Sequence, residues 1–147
     1  MMQKKLLLTT IIIGLVGFAD AFYLTVKHYS QSSIFCSVLN NGCDLVTSSR
    51  YSAFGGVPIA LIGTIYYAFI VLLAALLFRQ PSSQTVKLLL LVSSLGFLFS
   101  LWLLYLQIFV IKALCFYCII SAATSTLIFI ISLIYSLKNN KNEHQTY

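Results

Sequence analysis

Charge is what this sequence has least of. Only 8% of its 147 residues are Asp, Glu, Lys or Arg, and just three are acidic. An ordinary soluble domain is about 25% charged and about 45–50% apolar. Here the apolar share is 60% and the mean hydropathy is +0.96. That shortage excludes a soluble globule and a disordered tail. The formal charge of +6 could suggest nucleic acid. The nine basic residues, however, occur singly or in pairs and form no stripe, which excludes a nucleic-acid-binding domain. Internal repeats and low-complexity linkers are also missing, and the length suits one domain.

What is present is apolar sequence in four long pieces, cut by charges. Leu6–Val26 lies between Lys4-Lys5 and Lys27, Val57–Phe78 between Arg50 and Arg79, and Leu88–Ile111 between Lys87 and Lys112. Ala113–Leu137 lies between Lys112 and Lys138. A helix needs about 20 apolar residues to cross about 30 Å of hydrocarbon, so each piece suits one crossing. Leu88–Leu137 is far too long for a single span, so a tight hairpin near Lys112 is required although neither Gly nor Pro is there. The expected fold class is an all-α membrane protein: one domain over 1–147, a bundle of four transmembrane helices with an outer loop and short-helix cap.

Four crossings put both termini on one side. Lys4, Lys5, Arg79, Lys87, Lys138 and Lys141 fall there, against Lys27, Arg50 and Lys112 on the other. Excess Lys and Arg mark the cytoplasmic face. The expected location is a multi-pass cell (inner) membrane protein with cytoplasmic termini, and with residues 27–56 on the outer, periplasmic side. A cleavable signal peptide ending near Ala19-Asp20-Ala21 is an alternative, but the apolar run continues to Val26 and completes a span.

Residues 27–56 are the only sizeable extramembrane piece. Asn40-Asn41-Gly42 is a turn signal between Cys36 and Cys43, so the two could approach bridging distance. Leu45–Phe54 could form a short helix on the membrane, and Gly55-Gly56 with Pro58 suits a break followed by a helix start.

All four cysteines lie at or just inside the outer face, where disulfides persist. Cys36 and Cys43 are in the loop. Cys115-Phe116-Tyr117-Cys118 is a C-x-x-C at the head of the fourth span, where free amides and the helix dipole favour the reactive thiolate. Structural bridges and a four-thiolate zinc site are the alternatives. A half-embedded, oxidising position suits zinc poorly, and no metal is expected. Two dithiol pairs facing one compartment suggest a relay by thiol–disulfide exchange. Soluble thiols reach the loop pair and a lipid-soluble oxidant reaches the embedded pair. The natural two-electron acceptor in a membrane is a quinone.

These residues resemble the vitamin K epoxide reductase family along nearly the whole chain. The match includes Tyr23-Leu24-Thr25, Cys36, Cys43-Asp44-Leu45-Val46-Thr47-Ser48-Ser49-Arg50-Tyr51, Gly56-Val57-Pro58-Ile59-Ala60-Leu61-Ile62-Gly63, Tyr66-Tyr67 and Cys115-Phe116-Tyr117-Cys118. The resemblance implies a four-helix bundle around a quinone pocket. It implies that Cys36 and Cys43 are the shuttle pair and Cys115 and Cys118 the active-site pair, with Cys118 nearest the quinone. Ser49 matches a serine typical of the family's loop. The implied activity is a quinone-dependent thiol–disulfide oxidoreductase that supports disulfide-bond formation, with ubiquinone or menaquinone as acceptor. Where vertebrate members carry a quinone-contacting tyrosine, four residues after the second active-site cysteine, this chain has Ala122. That departure points away from epoxide reduction and toward the bacterial quinone-reducing branch. Many bacterial relatives carry a fused thioredoxin-like domain; this sequence stops at Tyr147, so a separate thioredoxin-fold partner is expected. Disulfide-bond oxidases of the DsbB type also have four spans and two pairs, but their C-x-x-C comes first. A non-enzymatic membrane subunit with structural disulfides is the remaining alternative.

Further candidates are less specific. Ser49, Tyr51, Phe54, Phe116 and Tyr117 are candidate quinone contacts, as are Trp102 and Tyr105, although interfacial aromatics also form belts without a ligand. Arg50 could orient the loop, and His28 and His144 read as surface residues. Asp20 is the only acidic residue inside a span. Intramembrane carboxylates are functional hypotheses by default. It lies six residues before Val26, about 9 Å below the outer end, near the expected depth of Cys115 and Cys118. It is the candidate proton relay for quinone reduction.

Overall fold

The structure, a computed structural model, describes residues 2–30 and 42–144. Four helices long and apolar enough to cross a membrane dominate it. They are α1 (Met2–Ser30), α3 (Ile59–Arg79), α4 (Ser83–Tyr105) and α5 (Phe116–His144). A π-helical turn, Leu106–Ile111, extends α4. The cap contains α2 (Gly42–Thr47) and the two-residue strands β1 (Ala53–Phe54) and β2 (Val57–Pro58). Each helix is apolar nearly all round, as it must be where lipid replaces water on the outside and every backbone polar group is satisfied within the helix.

The four long helices form a ring: α1 packs on α3 and α5, and α4 packs on α5 and α3. Lipid supplies no hydrophobic force between helices, so close packing and buried hydrogen bonds must hold them. Both are visible. Gly17 leaves the space filled by the Tyr67 ring, and Gly96 the space filled by Tyr66. The Tyr67 hydroxyl donates to the Ser121 carbonyl at 2.6 Å and lies 2.8 Å from Thr124 Oγ1, tying α3 to α5. Thr25 and Thr64 meet at 3.2 Å between α1 and α3. Phe97 and Phe129 stack with centroids 5.0 Å apart between α4 and α5. α1 runs unbroken through Ala19-Asp20-Ala21 and buries Leu7 and Thr10 before that point.

The cap differs from the expected Leu45–Phe54 helix. α2 is shorter and earlier, because serines take over its C-terminal carbonyls. The Ser49 hydroxyl donates to the Val46 carbonyl at 2.7 Å, and Ser52 donates to Ser49 at 2.8 Å. Such local side-chain bonds compete with helix. A hairpin then forms around Gly55 and Gly56, with φ of 60° and 84° and Phe54 opposite Val57. Two consecutive positive φ values are what a tight two-residue hairpin turn needs, and glycine reaches them without strain. Pro58 caps α3 from the outside rather than opening it as its first residue.

Candidate active site

The site begins at the turn between the third and fourth spans. The π-helical turn ends at Lys112, which takes a left-handed φ of 54°. The chain then reverses through Ala113 and Leu114 to Cys115. Cys115 is the N-cap of α5, since its carbonyl accepts the first helical bond from Ile119 N–H at 3.1 Å. An N-cap side chain faces the free N–H groups of the first turn. Here that side chain is a thiol. A hydrogen bond from the Cys118 thiol, joined by the main-chain N–H groups of Cys118 and Tyr117, holds the Cys115 thiol below its ordinary value, while burial works against them. The pair is unbridged in this structure.

The two sulfur-bearing residues face different surroundings. Cys115 has no exposure and packs with Leu24 of α1 and Val46 of α2. Cys118 lines a cavity of about 510 Å³, enclosed by α1, α3, α4 and the cap. Most of its wall is apolar; Ser49, Tyr51, Gln107 and Ser121 are among the polar groups, and Ala122 leaves room beside them.

Of the five candidate contacts, Ser49 and Tyr51 border this cavity. The other three point elsewhere. Phe54 is at the hairpin tip and 77% exposed, and Phe116 turns outward from the head of α5. Tyr117 stacks on Tyr23 with centroids 5.2 Å apart. Trp102 and Tyr105 are likewise exposed on the outside of the bundle. His28, read from sequence as a surface residue, borders the cavity. Asp20 is close enough to Cys115, Cys118 and Tyr67 to interact with their charge, and its Oδ2 is buried with no hydrogen-bond partner among the described residues. Cys36 lies outside the described residues, so the Cys36–Cys43 pairing does too. Cys43 is in α2, one turn before Val46.

Sequence reading missed Gln107. It is 3% exposed, borders the cavity, and accepts the Cys115 N–H on Oε1 at 3.2 Å. The signal was available: it is the one amide side chain in the apolar stretch Leu88–Ile111.

Fold and site together define a membrane redox protein, in which a vicinal cysteine pair at a helix head stands against an apolar cavity. The family model described as "Vitamin K epoxide reductase family" matches residues 8–133. The chain belongs to that family, and with it to the membrane thiol–disulfide oxidoreductases.

Proposed function

We propose that this protein oxidises a separate thioredoxin-fold partner and passes the electrons through its two cysteine pairs to a quinone, supporting disulfide-bond formation on the outer side of the membrane. One observation carries the reading. Cys118 opens onto the cavity, whereas Cys115 is packed under the cap helix that also carries Cys43. In this reading the helix that carries Cys43 brings the donor pair to Cys115, and the cavity brings the acceptor to Cys118.

The steps balance as follows. A partner dithiol attacks the Cys36–Cys43 disulfide; the partner leaves as a disulfide and the loop becomes a dithiol. A loop thiolate attacks Cys115 of the oxidised Cys115–Cys118 pair, Cys118 leaves as a thiolate, and closure of the loop disulfide leaves Cys115 and Cys118 reduced. The pair then returns to a disulfide as two electrons and two protons pass to the quinone, giving quinol. The N–H groups that face the Cys115 sulfur stabilise it as a thiolate whenever it leaves.

The cavity suits such an acceptor. Its volume falls within the range of about 300–1,000 Å³ usual for small-molecule sites, which are mostly apolar with a few placed polar groups. Ser49 and Tyr51 are the cap groups that would orient a quinone oxygen, and ubiquinone and menaquinone both fit this description. Asp20 would supply or relay one proton of the two, from a position whose charge both cysteines feel. Both termini would be cytoplasmic, with the cysteines facing the periplasm.

The deciding experiment is to reduce the purified full-length protein and add quinone. Reoxidation of Cys115 and Cys118 with stoichiometric quinol is the expected result. Quinone that leaves the pair reduced would refute the reading and favour a structural role for the cysteines.

A further inference from the structure

Gln107 stands out because one residue serves the whole turn that carries Cys115. Its main-chain carbonyl accepts from Lys112 N–H and from Ala113 N–H, the latter at 3.2 Å. Its side-chain oxygen accepts from Cys115 N–H. A main-chain N–H can only donate, so the oxygen of the amide must face Cys115. That orientation leaves the NH₂ end without a role in the turn, and Gln107 and Cys118 border the same cavity. Sulfur accepts weakly as a thiol and strongly as a thiolate. A buried amide of this kind is costly unless both ends are satisfied; Cys115 N–H satisfies the oxygen, and the Cys118 sulfur is the cavity-lining group nearest in kind to serve the other end. The π-helical turn has a role in this. It widens the end of the third span so that Gln107 faces the pair instead of lipid, and π-bulges frequently mark functional sites.

We propose that Gln107 is a positioning residue for the Cys115–Cys118 pair: its oxygen locks the turn bearing Cys115, and its NH₂ donates to the Cys118 sulfur and stabilises the reduced pair. This deepens the oxidoreductase reading and rests on it for its functional meaning. Stabilising the reduced form makes a pair more oxidising. Gln107 would therefore make this pair a stronger acceptor for electrons from the loop.

The test is the thiol–disulfide equilibrium of full-length protein with glutathione, in a Cys36→Ser, Cys43→Ser background so that one pair titrates. Gln107→Leu and Gln107→Met each lose the oxygen for Cys115 N–H and the donor without adding charge. In each, the equilibrium should move toward the disulfide by about tenfold, or about 30 mV. Both variants should also lower the melting temperature, because the Cys115 N–H loses its acceptor. A wild-type equilibrium constant in either folded variant overturns the proposal. A second measurement needs no variant: the Cys115 amide of the wild-type protein should resist hydrogen exchange, and rapid exchange would also overturn it. Neither experiment uses quinone or protein partner. Failure here therefore leaves the relay standing, and failure of quinone reoxidation leaves this result intact.

Discussion

Replacing Cys118 by alanine should change the chemistry of Cys115 without disturbing its position. The Cys115 sulfur faces three donors: the Cys118 thiol, the Cys118 N–H and the Tyr117 N–H. Cys118→Ala removes the first and keeps the two main-chain donors, because α5 still begins at the same place. A hydrogen bond to a charged acceptor contributes about 1.5–3 kcal/mol, and a thiol is a weak donor, so the lower end applies. Losing that bond should therefore raise the pH at which Cys115 ionises in the variant. The sign follows from the competition at the site. The lost bond favoured the thiolate, and burial, which disfavours it, loses its main opponent. The ultraviolet absorbance of the thiolate, followed against pH in a Cys36→Ser, Cys43→Ser background, reads the change. The reference is the lower of the two steps by which the wild-type pair titrates. Cys118→Ser, which restores a donor, should recover much of the difference. Unchanged titration in Cys118→Ala would show that the neighbouring thiol does not set the reactivity of Cys115.

Other outcomes follow from the same geometry. Alanine at either Cys115 or Cys118 should abolish quinone reduction at the expense of a reduced thioredoxin-fold protein, and residual turnover in either variant would break the relay. Asp20→Asn keeps size and hydrogen bonding but carries no proton; it should slow the quinone step while exchange between the two cysteine pairs proceeds at the wild-type rate. Gly17→Ala forces the Tyr67 ring to move and should cost about 1–3 kcal/mol, whereas Gly63→Ala places its Cβ 3.5 Å from Ala21 Cβ and should be tolerated; thermal melting in detergent separates the two. Hydrogen exchange over residues 27–56 should be slower with Cys36 and Cys43 oxidised than reduced, because a cross-link limits the freedom of the loop, and equal protection in both states would argue against gating.

The membrane architecture was readable from composition alone. Crossing hydrocarbon demands about 20 apolar residues whatever the neighbours are, so charges such as Lys27, Arg79 and Lys138 delimit spans without any knowledge of packing. The hairpin at Lys112 was readable for the same reason, since no helix as long as Leu88–Leu137 fits a bilayer. The C-x-x-C at a helix head was also readable, because Lys112 marks the end of the third span and the apolar run that follows must begin a new helix. The different surroundings of the two cysteines were not local. Spacing of i and i+3 puts a pair on one face of a helix, but Cys115 caps α5 from outside while Cys118 is inside it. Only the docking of α2 over the first, and of α1, α3 and α4 around the second, gives them separate neighbours. The aromatic candidates diverged for a related reason. Phe54, Phe116 and Tyr117 are neighbours in sequence of residues that border the cavity, but a ring's direction is set by helix phase and by the hairpin at Gly55-Gly56, neither of which hydropathy encodes. Gln107 is the sharpest case: eight positions before Cys115 in the chain, it reaches that residue's main-chain N–H because a π-helical turn and one left-handed residue fold the chain back on itself.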